Sequence, residues 1–149
     1  MGICNGFQVL AEAGLLPGAL LQNDNQKYVC KNTHLKVGTP NTALTRELDP
    51  SKPYRIPIAH GEGRFYASKE ELQKISANDQ VLFRYCDASG SITESANPNG
   101  SIDNIAGVCN EKRNVFGMMP HPERAADSIL GNEDGKDMLA SLLSLAGVA

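Results

Sequence analysis

The chain has 149 residues, 41% of them hydrophobic and 21% charged, with a net charge of −3 at pH 7. That length suits one domain, able to bury about 68–70% of its unfolded surface. The mildly acidic balance without a basic run excludes nucleic-acid binding by bulk positive charge, and the apolar content argues against disorder. The longest dense apolar stretch, Val9 to Leu21, is broken by Glu12, Gly14, Pro17 and Gly18, far from the roughly 20 apolar residues of a membrane-spanning helix.

The chain opens on Met1-Gly2-Ile3-Cys4-Asn5-Gly6, a turn of catalytic form with no strand ahead of it. Gly6 to Ala13 reads as a helix with Phe7, Leu10 and Ala11 on one face and Gly14 as its stop. Leu15 to Gly18 turns the chain, and Lys27 to Val37 has strand composition. Gly38 to Pro53 is polar and reads as a loop or excursion. Tyr54 to Ala59 is a second strand, with Pro57 placing part of it at an edge or bend. Ser68-Lys69-Glu70-Glu71 is a capping box opening a short helix through Ile75. Gln80 to Cys86 is a strand, and Asp87 to Asp103, rich in Ser, Asn, Gly and Pro, is a loop. Ile105–Cys109 and Val115–Met119 form a hairpin across the polar turn Asn110–Asn114. Asp134 to Ala146 is an amphipathic helix, with Met138, Leu139, Leu142, Leu143 and Ala146 at three- and four-residue steps. Helices mixed with strand pairs predict an α/β layer carrying an antiparallel excursion.

The four cysteines are Cys4, Cys30, Cys86 and Cys109. They form no Cys-x-x-Cys pair and no zinc-finger spacing, so no metal site is expected. No basic and apolar leader precedes Cys4, which predicts reduced thiols in the cytoplasm. Cys30, Cys86 and Cys109 lie in strand-like segments and read as small buried hydrophobes.

Cys4 has different neighbours. Gly2-Ile3-Cys4-Asn5-Gly6 has the Gly-x-nucleophile-x-Gly form of an elbow at a strand-to-helix turn. The flanking glycines are expected to crowd together, so both must be small. The helix that follows aims its N–H groups at the thiol, which is expected to lower its pKa. The Asn5 N–H is then an oxyanion donor. Taken alone, the pattern equally suits a structural turn. A cysteine nucleophile needs a base, and the base an orienting group. Of the three histidines, His121 directly follows an apolar strand and is held between Pro120 and Pro122, with Glu123 two residues on. A strand-end histidine can be purely structural; the elbow and Glu123 favour the catalytic reading. His34, beside Lys36, reads as a surface residue.

With both motifs in hand, the chain resembles the class I glutamine amidotransferases. Gln8 stands where that family holds the substrate glutamine. The segments Ile58-Ala59-His60-Gly61-Glu62-Gly63-Arg64, Asn97-Pro98-Asn99-Gly100-Ser101 and Gly117 to Arg124 resemble one branch of the family. Its members are glutaminase subunits that serve a separate synthetase subunit in purine biosynthesis. The resemblance implies a flavodoxin-like α/β sheet with an antiparallel excursion. It implies a catalytic triad of Cys4, His121 and Glu123, with Asn5 at the oxyanion and Gln8, His60 and Gly61 on the substrate, L-glutamine. It implies a γ-glutamyl thioester and release of ammonia to the synthetase subunit, which uses the ATP and Mg. No phosphate-binding Gly-x-x-x-x-Gly-Lys-Ser/Thr loop occurs, so this chain itself is expected to bind no nucleotide or other cofactor. Whether a small third subunit bridges the complex stays open. Asn97 to Ser101 reads as a shaped turn near the site or the partner, without a catalytic role. Arg124 suits either a partner carboxylate or solvent.

Family members carry further strands and a glycine-rich loop ahead of the elbow, whereas here only Met1 to Ile3 precede Cys4. Residues 1–149 therefore read as one amidotransferase domain lacking its N-terminal strands. The chain as written is expected to show little glutaminase activity and to aggregate, because an open sheet edge and a missing oxyanion donor are both costly. Two other readings remain. One is another Cys-His-Glu amidase or hydrolase of the same fold. The other is an inactive fragment that only binds the synthetase.

Overall fold

The computed structural model describes residues 1–145, so the Ala146 step expected of the last helix lies outside the described residues. In chain order the elements are β1 (Gly2–Ile3), α1 (Asn5–Glu12), β2 (Ala19–Gln22), β3 (Val29–Val37), β4 (Tyr54–His60), β5 (Glu62–Tyr66), α2 (Lys69–Ala77), β6 (Val81–Cys86), β7 (Ile105–Cys109), β8 (Phe116–Met118) and α3 (Lys136–Leu145). Six strands form a sheet in the order β1-β8-β7-β6-β3-β4, and β2 and β5 form a separate ribbon. The α/β arrangement with an antiparallel excursion is what forms. Among the described residues, parallel pairing is confined to β1 and β8, with Gly2 opposite Gly117 and Ile3 opposite Met118. The other ladders are antiparallel.

The two ends of the six-stranded row meet. His121, just after β8, donates its backbone N–H to the Pro57 carbonyl of β4 at 2.8 Å. Cys4, just after β1, places Sγ 3.9 Å from the Ala59 carbonyl of β4. Strands at opposite ends of a row can approach like this only if the sheet curls, which accumulated strand twist permits. Pro57 sits on the edge strand, as its missing N–H requires.

Apolar residues from both faces of the sheet build the core. On one side Leu35, Ile56, Ile58, Leu82, Tyr85 and Met118 pack with Met138 of α3 and with Leu44 and Leu48. On the other, Val81, Ile105 and Val108 pack with Phe7 of α1, Leu16 of the turn after it, Phe65 of the ribbon and Ile75 of α2. The Phe7 and Phe65 rings stack, with centroids 6.1 Å apart.

Several local expectations change. Residues 38 to 53 contain no helix or strand, yet they are not a solvent loop: Leu44 and Thr45 are fully buried. Their few apolar side chains cap one face of the sheet. The ribbon strands β2 and β5 were not expected. Each is short, and β5 puts a glycine at one of its two buried positions, so its alternation carries little apolar signal. Ser68 caps α2 by accepting from the Glu71 N–H at 3.1 Å, but the box does not close. The Glu71 carboxylate accepts from the Gly18 N–H at 2.9 Å instead. Cys86 and Cys109 are buried, but Cys30 is exposed. The start of β3 pairs only with the edge strand β4, and Cys30, Lys31 and Asn32 all face solvent there. All four thiols are free. His34 is half-buried in β3.

Candidate active site

Cys4 occupies the turn between β1 and α1 with φ 51° and ψ −109°. A non-glycine residue held there stores strain of about 1–3 kcal/mol. The surroundings enforce it. The Cys4 N–H donates to the Met118 carbonyl at 2.9 Å, and its own carbonyl accepts from the Gln8 N–H at 3.2 Å. A Cβ on Gly2 would lie 2.5 Å from the Gly6 carbonyl group, so position 2 has no room for a side chain. The expectation that both flanking glycines are crowded holds for Gly2 only. A Cβ on Gly6 would meet nothing within 4 Å, because the first turn of α1 faces that position away from the elbow.

The thiol pKa moves opposite to expectation. Burial raises it above its ordinary value, outweighing the lowering by the Asn5 backbone N–H and by the Arg124 charge, and Glu123 adds to the rise. Desolvation of the thiolate exceeds what one helix turn and a partly exposed guanidinium return. The sulfur therefore rests as a thiol, and a nearby base must take its proton.

His121 is buried behind the strand-to-turn junction, and its Nδ1 lies 2.5 Å from Glu123 Oε1. An ionised carboxylate only accepts, so Nδ1 donates to Glu123 and Nε2 is the ring nitrogen left to face the cavity. His121 Nε2 is buried without a hydrogen-bond partner among the described residues. Arg124 Nε stands 3.7 Å from the same Glu123 oxygen.

Cys4, Asn5, Gln8, His60, Gly61 and His121 line one cavity of about 550 Å³. Six of the seven residues expected at the site thus share its wall, and Glu123 stands behind His121. The Gln8 side-chain amide donates to the Glu62 carbonyl at 2.7 Å, tying α1 to the turn between β4 and β5. His60 Nδ1 lies 3.0 Å from Asn23 Oδ1. The Asn23 Nδ2 already donates to the Lys27 and His60 carbonyls, so its Oδ1 accepts and the His60 proton sits on Nδ1. Burial, reinforced by His121, pushes the His60 pKa down to about 4, so this ring is neutral at neutral pH.

Sequence reasoning missed Tyr28 and the cavity-facing place of Arg124, which also line the wall. It missed Asn23, which carries no motif. It also missed Tyr85, whose hydroxyl is buried with no hydrogen-bond partner among the described residues. Among the described residues, no group of three or more His, Cys, Asp or Glu could hold a metal ion. No helix there is long and apolar enough to cross a membrane.

The chain was compared with known proteins. The family model described as CobB/CobQ-like glutamine amidotransferase domain matches residues 1–140. The phosphoribosylformylglycinamidine synthase subunit PurQ of Aquifex aeolicus is 58% identical over 144 residues, covering 97% of this chain and 63% of that protein. The same subunit of Salinibacter ruber is 54% identical over 143 residues, covering 96% of this chain and 61% of that protein. The solved structure of PurLQS from Thermotoga maritima superposes with a TM-score of 0.82 at 44% identity, covering 98% of this chain and 61% of that one. The chain thus spans about three-fifths of the length of the curated relatives it matches. With an elbow cysteine and a Glu-held histidine on one cavity, and a family model over residues 1–140, the chain belongs to the CobB/CobQ-like glutamine amidotransferase family.

Proposed function

We propose that this chain carries the glutaminase chemistry of phosphoribosylformylglycinamidine synthase. That chemistry is hydrolysis of L-glutamine to glutamate and ammonia, with the ammonia passed to a synthetase subunit for purine biosynthesis; the chain as written is expected to perform it weakly by itself. The observation that carries the reading is the placement of Cys4, strained at φ 51°, on the same cavity as His121, whose Nδ1 is held by Glu123 at 2.5 Å. Identity of 58% to the Aquifex aeolicus subunit supports the choice of enzyme.

The chemistry follows from the resting protonation states. His121 Nε2 takes the Cys4 proton as sulfur attacks the carboxamide carbon, and the oxyanion faces the Asn5 N–H. His121 returns the proton to the leaving nitrogen, the C–N bond breaks, and ammonia departs from a γ-glutamyl thioester. Water, deprotonated by His121, then attacks the thioester carbon, and the C–S bond breaks to give glutamate and the thiol. Glu123 keeps the imidazole oriented throughout. Gln8, His60 and Gly61 hold the glutamine. The synthetase subunit supplies ATP and Mg, and similarity to PurLQS supports that partnership. A small subunit bridging the two, and a cytoplasmic setting, complete the proposal.

The test is covalent labelling with the glutamine mimic 6-diazo-5-oxo-norleucine, read by peptide mass mapping. The expected result is label on Cys4, blocked by L-glutamine and absent in Cys4→Ser. Label spread over Cys30 and the other thiols, or unaffected by glutamine, would overturn the reading.

A further inference from the structure

The turn from His60 to Gly63 leaves the six-stranded sheet at β4 and enters the ribbon at β5. A chain crossing between sheets loses ladder partners, so its carbonyls must be satisfied otherwise. Here four consecutive carbonyls are each taken by an amide donor from elsewhere in the chain. His60 O accepts from Asn23 Nδ2 at 2.9 Å, Gly61 O from the Asn23 backbone N–H at 2.9 Å, Glu62 O from Gln8 Nε2 at 2.7 Å, and Gly63 O from Asn99 Nδ2 at 2.9 Å. Asn23 is 1% exposed and Asn99 fully buried.

Asn99 is itself built in. Its Oδ1 accepts from the Ser101 hydroxyl at 2.9 Å and the Ser101 N–H at 3.2 Å. The Ser101 hydroxyl accepts in turn from the Phe65 N–H of β5 at 3.0 Å. The Asn99 carbonyl accepts from the Asp24 N–H at 3.1 Å, joining this turn to the one that carries Asn23. Gly100 closes the contact: its φ is +77°, and a Cβ there would lie 2.8 Å from the Asp24 side chain. Three segments far apart in sequence thus converge on the cavity wall.

We propose that Asn99 and Ser101, acting with Asn23, are positioning residues for substrate: they hold the His60–Gly63 turn in the place that receives glutamine. This rests on the glutaminase reading above. None of the three touches the reacting atoms. Their loss should loosen the substrate wall and leave the Cys4 elbow intact, because the elbow is held by Met118 and Gln8 instead.

Asn99→Ala and the milder Ser101→Ala are compared with the parent chain, with thermal melting to establish that each folds. Cys4 is alkylated with 6-diazo-5-oxo-norleucine, which needs the glutamine wall, and with iodoacetamide, which needs only the thiol. Amide hydrogen exchange is followed over residues 60–65. The expected result is an approximately tenfold slower reaction with the glutamine mimic, the size of one lost buried hydrogen bond. The iodoacetamide rate should stay unchanged, and exchange should quicken over residues 60–65 but not in α1 or β6. Unchanged labelling and exchange would overturn the proposal. So would parallel losses with both reagents and faster exchange everywhere, which describe a purely structural role. A parent whose labelling glutamine does not block overturns the glutaminase reading instead. The exchange data then decide the positioning role alone: local acceleration supports it, and its absence ends it.

Discussion

Gly2 and Gly6 flank Cys4 symmetrically in sequence and should respond oppositely to the same methyl group. In Gly2→Ala the new Cβ falls 2.5 Å from both the carbon and the oxygen of the Gly6 carbonyl and 2.7 Å from Leu10 Cδ1. Two of those atoms are backbone at the start of α1, so relief requires moving the helix against β1. Overpacking of this kind costs about 1–3 kcal/mol. In Gly6→Ala the Cβ meets nothing within 4 Å, and the position lies in the first turn of α1. Replacing a helical glycine there should gain up to about 0.5–1 kcal/mol, because alanine has less unfolded-chain freedom to lose. Urea unfolding of the two variants beside the parent measures both. A spread of roughly 1–4 kcal/mol is expected from those two terms, or several degrees in Tm for a chain of this length. The iodoacetamide rate at Cys4 should change in Gly2→Ala, since the strained turn must shift. Equal destabilisation by both substitutions would refute the geometric argument and restore the symmetric reading of the motif.

Other predictions concern titration and thiol access. The His60 pKa falls from 6.5 to about 4 on folding, so between those values the unfolded chain binds a proton that the folded chain refuses. Stability should therefore drop as pH falls from about 6.5 toward 4, by ~3 kcal/mol in all from this group. The difference between the parent and His60→Gln, followed by denaturant unfolding across that range, isolates the effect; parallel pH profiles would contradict it. Among the structural cysteines, iodoacetamide should modify Cys30 first, since it is exposed, and should spare Cys109 and Cys86, the latter pushed up to about 11 by burial. Peptide mapping over a time course checks this order, and Cys86 reacting as fast as Cys30 would refute it.

Features whose cause is local can be read from the order of residues. The elbow is legible because a glycine stands two residues before the cysteine, where the start of the following helix leaves no room for a side chain. The α2 start is legible because Ser68 caps three residues ahead, and the β7–β8 hairpin because two apolar runs flank one polar turn. His121 and Glu123 are two residues apart, so their contact needs no tertiary information. The tertiary structure decided everything that depends on which distant groups meet. Curling of the sheet brings Pro57 and Ala59 of β4 against the residues after β8 and β1, and this closure makes a cavity of separate motifs. It also half-buries Cys4, and the desolvation reverses the pKa shift that the helix end alone suggested. Asn23, Asn99 and Ser101 became legible only there. A lone Asn has no periodicity to read, and its role lies in carbonyls left unpaired where the chain passes from one sheet to another. Cys30 went the same way in reverse: strand composition marks it apolar, but burial depends on a covering layer, and none among the described residues reaches that end of β3.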